Sequence, residues 1–553
     1  MKKLLVALAV SAFAAGCAVQ PAQHPALNES VQTLAPTVWD TDVPRADVDA
    51  AAWWAQFHDP VLDRLIATVL DGNLDLQAAA ERVKQAQALT VQKRAVLLPE
   101  LDATAHAADA RQNTPPPLGY VRQAGAGLAL SWSPDVFGGE RLDLLAAQAE
   151  LVGQKHAEDA MRLALAADAA SAYVDLRWAQ QELKILQDNA KIRQHALELT
   201  RKRQAFGLST ELDVTRAQNQ LDALEARIPP TQAQISHQLN LIAVYSGRTP
   251  ESVDRLVLAQ AGEIPAPPIG APGTLPSQAL LRRPDVLTAY AQVERRAAQV
   301  GVAKAERYPK FSLNLTDGIL AASYLGLPTL TDNLFSAALS ATSPIFNAGR
   351  ITADISQSES RMRESELGLR QTMLQALREV EDARANLVSS DEATRRLGSA
   401  LAASDKALGL ANQLYKGGAT DFLDVLSAQE VYLRDSDSLN QVKREHALAA
   451  VALYRSLGGG GAGMRRRVGR GRKPKLWQRT RWDYDAAPAS ILAGAPLFSH
   501  TMKIGPSTFI ANQMGPVHGA GQAVSGDAVK YRLREGHTLR EQRPCRIRKT
   551  TNE

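Results

Sequence analysis

The sequence predicts an α+β membrane protein built from two internal repeats, each joining a long coiled-coil helical hairpin to a pair of membrane strands. Three observations carry this. A motif recurs at a spacing of about 210 residues. A helical pattern runs on for roughly 65 residues after Gly139. Each repeat also holds two alternating apolar stretches separated by turn residues.

The recurring motif is Gly207-Leu208-Ser209-Thr210-Glu211-Leu212-Asp213-Val214, answered by Gly418-Ala419-Thr420-Asp421-Phe422-Leu423-Asp424-Val425. Ala217-Gln218 and Ala428-Gln429 extend the match. Each copy reads as a helix end, a glycine able to take positive φ, and a Ser/Thr cap that opens the next helix. The two turns are expected at the tip of a helical tube, with their aspartates helping to close it.

The 553 residues are rich in Ala, Leu, Gln and Arg and poor in aromatics (5%), a mixture suited to long helices. The net charge of +5 is uneven. Beyond residue 463 Lys and Arg outnumber Asp and Glu about threefold, so the rest is net acidic and the basic pI makes no case for a nucleic-acid partner.

Residues 1–17 read as a lipoprotein signal: Met1-Lys2-Lys3, an apolar run from Leu4 to Ala15, then Ala14-Ala15-Gly16-Cys17. The apolar run is too short to span a membrane. Cys17 is expected to carry covalent lipid, although Ala14 stands where such signals usually have Leu, and an ordinary signal cleavage is the alternative. Residues 18–52 are Pro/Ala/Asp-rich and aperiodic, as in an extended arm.

The first repeat covers 53–250. Trp53-Trp54 lead to Asp59-Pro60, a helix start, and a second helix runs from Asn73 to Leu98, ahead of Pro99. Leu101 to Ala110 and Gly125 to Trp132 alternate as two strands of about ten residues in a hairpin over about 100–137. The long helix that follows would measure about 100 Å at 1.5 Å per residue. Leu176, Ala179, Leu183, Leu186 and Ala190, then Leu221, Leu224 and Ile228 in the return helix, keep coiled-coil spacing. Pro229-Pro230 should break or bend that return helix.

A linker over 251–276 leads to the second repeat, 277–460, where Asp285, Pro309 and Pro344 stand about 210 residues after Asp75, Pro99 and Pro134. Its strand hairpin is expected over about 310–346, and its return helix carries Leu439, Val442, Ala449 and Leu453. Four membrane strands cannot close a barrel alone, so several chains must share one, continuous with a tube of their long helices.

At this level of detail the chain resembles the TolC-type outer-membrane efflux proteins, in the lipoprotein branch that includes OprM and NodT-like factors. The matching motifs are Trp53-Trp54 through Asp59-Pro60-x-Leu62-Asp63-x-Leu65-Ile66, Asn73-x-Asp75-Leu76, Arg283-Pro284-Asp285-Val286, Tyr308-Pro309-x-Phe311-Ser312-Leu313 and Pro344-Ile345-Phe346-Asn347-Ala348-Gly349-Arg350. The resemblance implies a homotrimer with a 12-stranded barrel in the outer membrane and a 12-helix periplasmic tunnel. It also implies a periplasmic adaptor and a proton-driven inner-membrane pump of the RND type as partners, and outer-membrane sorting through Ala18 after the cysteine. No cofactor is expected beyond the lipid on Cys17. By the same resemblance Asp424, and in the first repeat Asp213, are the cation-binding aspartates of the periplasmic gate. Three symmetry copies of a carboxylate would form a cation-favouring ring, although an aspartate in the first turn is favoured by the helix dipole alone. Three residues depart from what the resemblance implies: Ser427 replaces a second gate aspartate, Thr420 stands where the best-known relative has an arginine that latches neighbouring protomers, and Tyr290 replaces the family's glutamate. Gate closure should then rest on fewer links, with Asp421 contributing.

Two other function classes fit less well. The chain has no His-Glu-x-x-His, no nucleotide-binding glycine loop, no Gly-x-Ser-x-Gly and no cysteine cluster for an enzyme. A periplasmic membrane-fusion adaptor would lack strand hairpins repeating at this interval, and within the channel class a type I secretion outlet is the alternative. The tail 461–553, opening Arg465-Arg466-Arg467, follows Gly458-Gly459-Gly460-Gly461 without periodicity and is expected to be an aberrant, unstructured extension from a frameshift or read-through.

Overall fold

The computed structural model describes residues 18–459 apart from 44, 47–49, 113–118, 252–257, 259–261, 268–269 and 325–329. Cys17 and the tail from residue 460 lie outside the described residues. The chain divides into Met1–Pro474 and Lys475–Glu553, and only the first unit holds described residues.

The repeats are visible in the element lengths. Helix α4, Gly139–Ala205, and helix α9, Arg350–Lys416, are both 67 residues long. Each begins after a left-handed glycine, Gly138 at φ 87° and Gly349 at φ 84°. Each is preceded by a helix of 22 residues, α3 (Leu74–Ala95) and α8 (Pro284–Ala305), and by a strand pair. The pairs are β2 (Glu100–Gln112) with β3 (Gly119–Trp132), and β5 (Lys310–Tyr324) with β6 (Leu330–Thr342). These strands have 13 to 15 residues, longer than the ten read from alternation. Small or polar residues such as Asp317-Gly318 interrupt the apolar pattern without ending the ladder.

The two hairpins form one antiparallel sheet in the order β2-β3-β5-β6. At its centre Gly127 pairs with Gly318. A Cβ on Gly127 would stand 2.6 Å from the Asp317 oxygen, so the close approach of β3 and β5 needs glycine. No helix among the described residues is long and apolar enough to cross a membrane.

The return helices differ between repeats. The second, α10, is continuous over Phe422–Ser456, whereas the first is broken into α5 (Glu211–Glu225) and α6 (Ile228–Tyr245). The break falls at the expected prolines, which lack the N–H that would bond the Glu225 and Ala226 carbonyls.

The main core surrounds the middle of α4, where Ala166, Ala167, Ala169, Ala170, Tyr173, Val174 and Leu176 are buried on several faces. Small side chains let neighbours approach from all sides. Trp53, in a 3-10 helix over Ala50–Phe57, is fully buried there and stacks on Tyr454 at 5.7 Å. Asp59 caps α2 (Pro60–Gly72) by accepting from the Val61 N–H at 2.8 Å, and Tyr173 Oη donates to it at 2.6 Å. One carboxylate therefore fixes α2 to α4. Burial pushes the Tyr173 hydroxyl's pKa well up, with Asp59 adding to it.

The N-terminal arm departs from the extended reading of 18–52. Leu27–Leu34 forms helix α1, whose Val31 is buried among Leu280, Val286, Leu369 and Met373. That tertiary contact, rather than local propensity, sets the helix. Farther on, Arg45–Ala46 (β1) pairs in parallel with Ala271–Pro272 (β4) of the linker. A short helix α7, Pro276–Arg282, closes that linker. Trp39 Nε1 donates to the Thr274 carbonyl at 2.7 Å and Arg384 Nε to the Thr41 carbonyl at 3.0 Å, so the arm is strapped to the linker and to α9.

Candidate gate at the two helical turns

The turns after α4 and α9 repeat each other in backbone geometry. Gly207 has φ 72° and Gly418 φ 74°. The Leu208 N–H bonds the Arg203 carbonyl at 2.8 Å, and the Ala419 N–H bonds the Leu414 carbonyl at 2.9 Å. Both chain reversals satisfy carbonyls that the ending helix leaves free. A Cβ on either glycine would meet nothing within 4 Å, so the requirement is the left-handed φ and not space.

The capping that follows differs. Thr210 caps α5 in a reciprocal box, its hydroxyl accepting from the Asp213 N–H at 3.2 Å while Asp213 Oδ2 accepts from the Thr210 N–H at 3.0 Å. Asp213 also accepts from the hydroxyls of Thr210, at 2.7 Å, and Ser209, at 3.0 Å. Burial pushes the Asp213 carboxyl up, but the Thr210 and Ser209 bonds and nearby Arg216 outweigh it and hold it below the usual value. In the second turn Asp421 is the N-cap residue of α10 and makes no side-chain capping bond. Asp424 accepts from the Thr420 hydroxyl, the counterpart of the bond from Ser209 to Asp213. Thr420 is therefore a local partner of Asp424.

Asp421 and Asp424 are exposed and Asp213 is half-buried. Two of the three expected gate carboxylates thus present free oxygens, while Asp213 is largely committed to its own helix cap. An apolar cluster draws the turns together: Ala196, Leu197, Ala217 and Leu221 of the first repeat pack with Tyr415, Phe422 and Val425 of the second.

Several polar links between the repeats were not legible from the turn motif. Arg203 Nη1 donates to the Tyr415 carbonyl at 2.6 Å. Arg193, buried on α4, donates to the Gln220 side chain at 2.7 Å, and Gln220 Nε2 reaches Glu430 of α10 at 3.4 Å. Arg227, at the break between α5 and α6, bridges Glu182 of α4 at 2.9 Å and Asp437 of α10 at 2.8 Å. A basic residue in the last helical turn and the proline break were the only signals, and neither names its partner.

A scan of family models matches the description "Outer membrane efflux protein" twice in this chain, at residues 65–248 and 275–459. The two matches span both repeats.

The chain belongs to the outer membrane efflux protein family.

Among curated relatives, the efflux protein is 30% identical over 426 residues to the pyoverdine export outer membrane protein OpmQ of Pseudomonas aeruginosa, covering 74% of this chain and 88% of that one. It is 28% identical to the probable efflux pump outer membrane protein TtgC of Pseudomonas putida, with coverages of 83% and 96%. Among solved structures, the outer-membrane channel OprN matches at 29% identity and a TM-score of 0.68, with 78% of this chain and 99% of that chain covered. The outer membrane protein VceC of Vibrio cholerae matches at 27% and 0.67, with coverages of 74% and 99%. The efflux protein thus has the fold of TolC-like channels, sits in the outer membrane and extends into the periplasm.

Proposed function

We propose that the chain is the outer-membrane channel of a tripartite efflux system, working as a homotrimer that exports small molecules to the exterior. The observation that carries the trimer is the open sheet. The outer edges of β2 and β6 have no strand partner among the described residues, and free edges in a bilayer leave backbone groups unsatisfied. Pairing β6 of one protomer with β2 of the next closes a twelve-stranded barrel from three four-stranded sheets.

The partners are a periplasmic adaptor at the helical tip and, through it, an RND-type inner-membrane pump. Phe206, 81% exposed, together with Leu208, Leu212 and Leu423 forms an apolar rim around the two turns, the kind of surface that marks a protein partner. The lipid on Cys17 anchors the N-terminus. In support, the Val19 N–H donates to the Phe137 carbonyl at 2.9 Å, between β3 and α4, so the arm starts beside the strands that enter the membrane. Asp424 and Asp421, repeated three times, form the cation-favouring ring at the tip, and Asp213 supports it as a cap.

The test is assembly. Purified from outer membranes in mild detergent, the protein should run at three times the protomer mass. Proline substitutions along β6, at Leu334 and Ser336, should leave monomers. A wild-type protein that stays monomeric in the outer membrane would overturn the reading.

A further inference from the structure

The first return helix is the only one of the two described return helices that is broken, and the break is bridged by charge. Pro229 and Pro230 stand at the second and third positions of α6, so two helical hydrogen bonds are missing where α5 meets α6. The residue at this joint is Arg227. Its Nη2 donates to Glu182 Oε1 at 2.9 Å and to Asp437 Oδ2 at 2.8 Å. Asn440 Nδ2 completes the cluster by donating to Glu182 Oε2 at 3.0 Å. One guanidinium thus ties the joint to the long helix of its own repeat and to the return helix of the other.

Apolar packing also reaches this joint: Leu224 and Ile228 sit with Leu186 of α4 and Leu433 of α10. Asp437 Oδ1 and Asn440 Oδ1 are buried without a hydrogen-bond partner among the described residues, so the carboxylates lean on Arg227 alone for a cation. Below the joint α5 adds Val214, Ala217 and Leu221 to the tip cluster, and Gln220 bonds Arg193 of α4 and Glu430 of α10, while a groove toward α10 is lined by Thr215, Asn219, Leu423 and Ser427. Apolar contact has no direction, whereas a charge-assisted bond does. A hinge with a directional clamp at its axis sets the angle of everything beyond it.

We propose that Arg227 is the positioning residue of the tip: clamped between Glu182 and Asp437, it fixes the angle of α5 and so the distance of the Asp213 turn from the Asp424 turn. This deepens the reading of the two turns as a gate and rests on it for its functional meaning.

The test measures that distance in the full-length assembled protein. Nitroxides are attached to Thr215→Cys and Leu423→Cys across the groove, and in a second sample to Gln234→Cys and Glu445→Cys above the break, both in a Cys545→Ser background. Arg227→Ala should broaden the lower distance distribution about twofold and leave the upper one as in the parent. Arg227→Lys, which keeps the cation, should stay near the parent. An unchanged lower distribution in Arg227→Ala overturns the proposal. So does equal broadening of both pairs, which would mean general loosening. Because the readout is a distance, its failure is distinct from failure of the gate, which conductance reports.

Discussion

Arg203 and Tyr415 join the ends of the two long helices: the arginine Nη1 donates to the tyrosine carbonyl at 2.6 Å while its guanidinium lies 4.5 Å from the centre of the tyrosine ring. A cation here also faces the negative ends of both helix dipoles. Thr200 Oγ1 lies 3.3 Å from the tyrosine hydroxyl, so the ring is held from two sides. Arg203→Met keeps the apolar stem and removes the charge. It should cost about 1–2 kcal/mol locally, seen as faster amide exchange over residues 414–424 with little change around Tyr173. Exchange unchanged at the tip would show that Arg203 does not tie the turns.

The turn glycines make a second prediction, with an internal contrast. Gly207→Ala and Gly418→Ala should each destabilise by about 1 kcal/mol because alanine is strained at positive φ. Gly368 and Gly398 lie within α9, and a Cβ there meets nothing within 4 Å. Their replacement by alanine should stabilise by about 0.5–1 kcal/mol. Thermal melts of the four variants in one detergent check both signs.

Periodicity and repetition made the frame legible. The spacing of Asp75 and Asp285, and of the Gly207 and Gly418 motifs, places the paired elements, because helices and strands follow local patterns. Asp59-Pro60 announced its helix and does cap α2. What stayed hidden depends on distant partners. Val31 makes a helix in the arm by entering a pocket formed by residues more than two hundred positions away. Pro229-Pro230 marked the break, yet nothing nearby in sequence says that Arg227 would span it to Asp437, 210 residues on. At the site, the glycines were legible from their turn chemistry. The division of labour among Asp213, Asp421 and Asp424 was not, since all three are acidic residues in or next to a first turn and only their hydrogen bonds separate them.

That division predicts different behaviour for the aspartates. Asp424→Ala should raise single-channel conductance more than Asp213→Ala does, because Asp424 is exposed and Asp213 is committed to its cap. Asp213→Ala should instead lower the melting temperature, a lost cap costing about 1 kcal/mol. The pH dependence follows the same logic. The Asp213 carboxyl is held below its ordinary value of 3.8, so its contribution is fully present above that value and is lost as pH falls through the lower folded-state value. The melting difference between wild type and Asp213→Asn should therefore vanish in strong acid and be constant at neutral pH. A conductance unchanged in the Asp213→Ala/Asp424→Ala double variant would reject the gate.

Glu182 should behave in the opposite sense. Burial raises its carboxyl first, and nearby Asp437 raises it further, against the lowering bonds from Asn440 and Arg227. A carboxyl whose folded value lies above its ordinary 4.5 makes the folded state bind a proton more readily than the unfolded one. Stability then rises as pH falls through the folded value and levels off below 4.5. Glu182→Gln removes the buried charge and keeps one acceptor oxygen for Arg227, while its amide N–H can be met by Asn440 Oδ1 once that side-chain amide turns over, so it should leave the melting temperature equal or higher at neutral pH and flatten its rise on mild acidification. Glu182→Leu keeps the bulk but offers no acceptor, leaving Asn440 Nδ2 without its side-chain bond, and should destabilise by about 1–3 kcal/mol. If Glu182→Gln melts well below wild type at neutral pH, the ionised carboxylate is a net stabiliser of the Arg227 joint, and the sign argued from its burial is wrong.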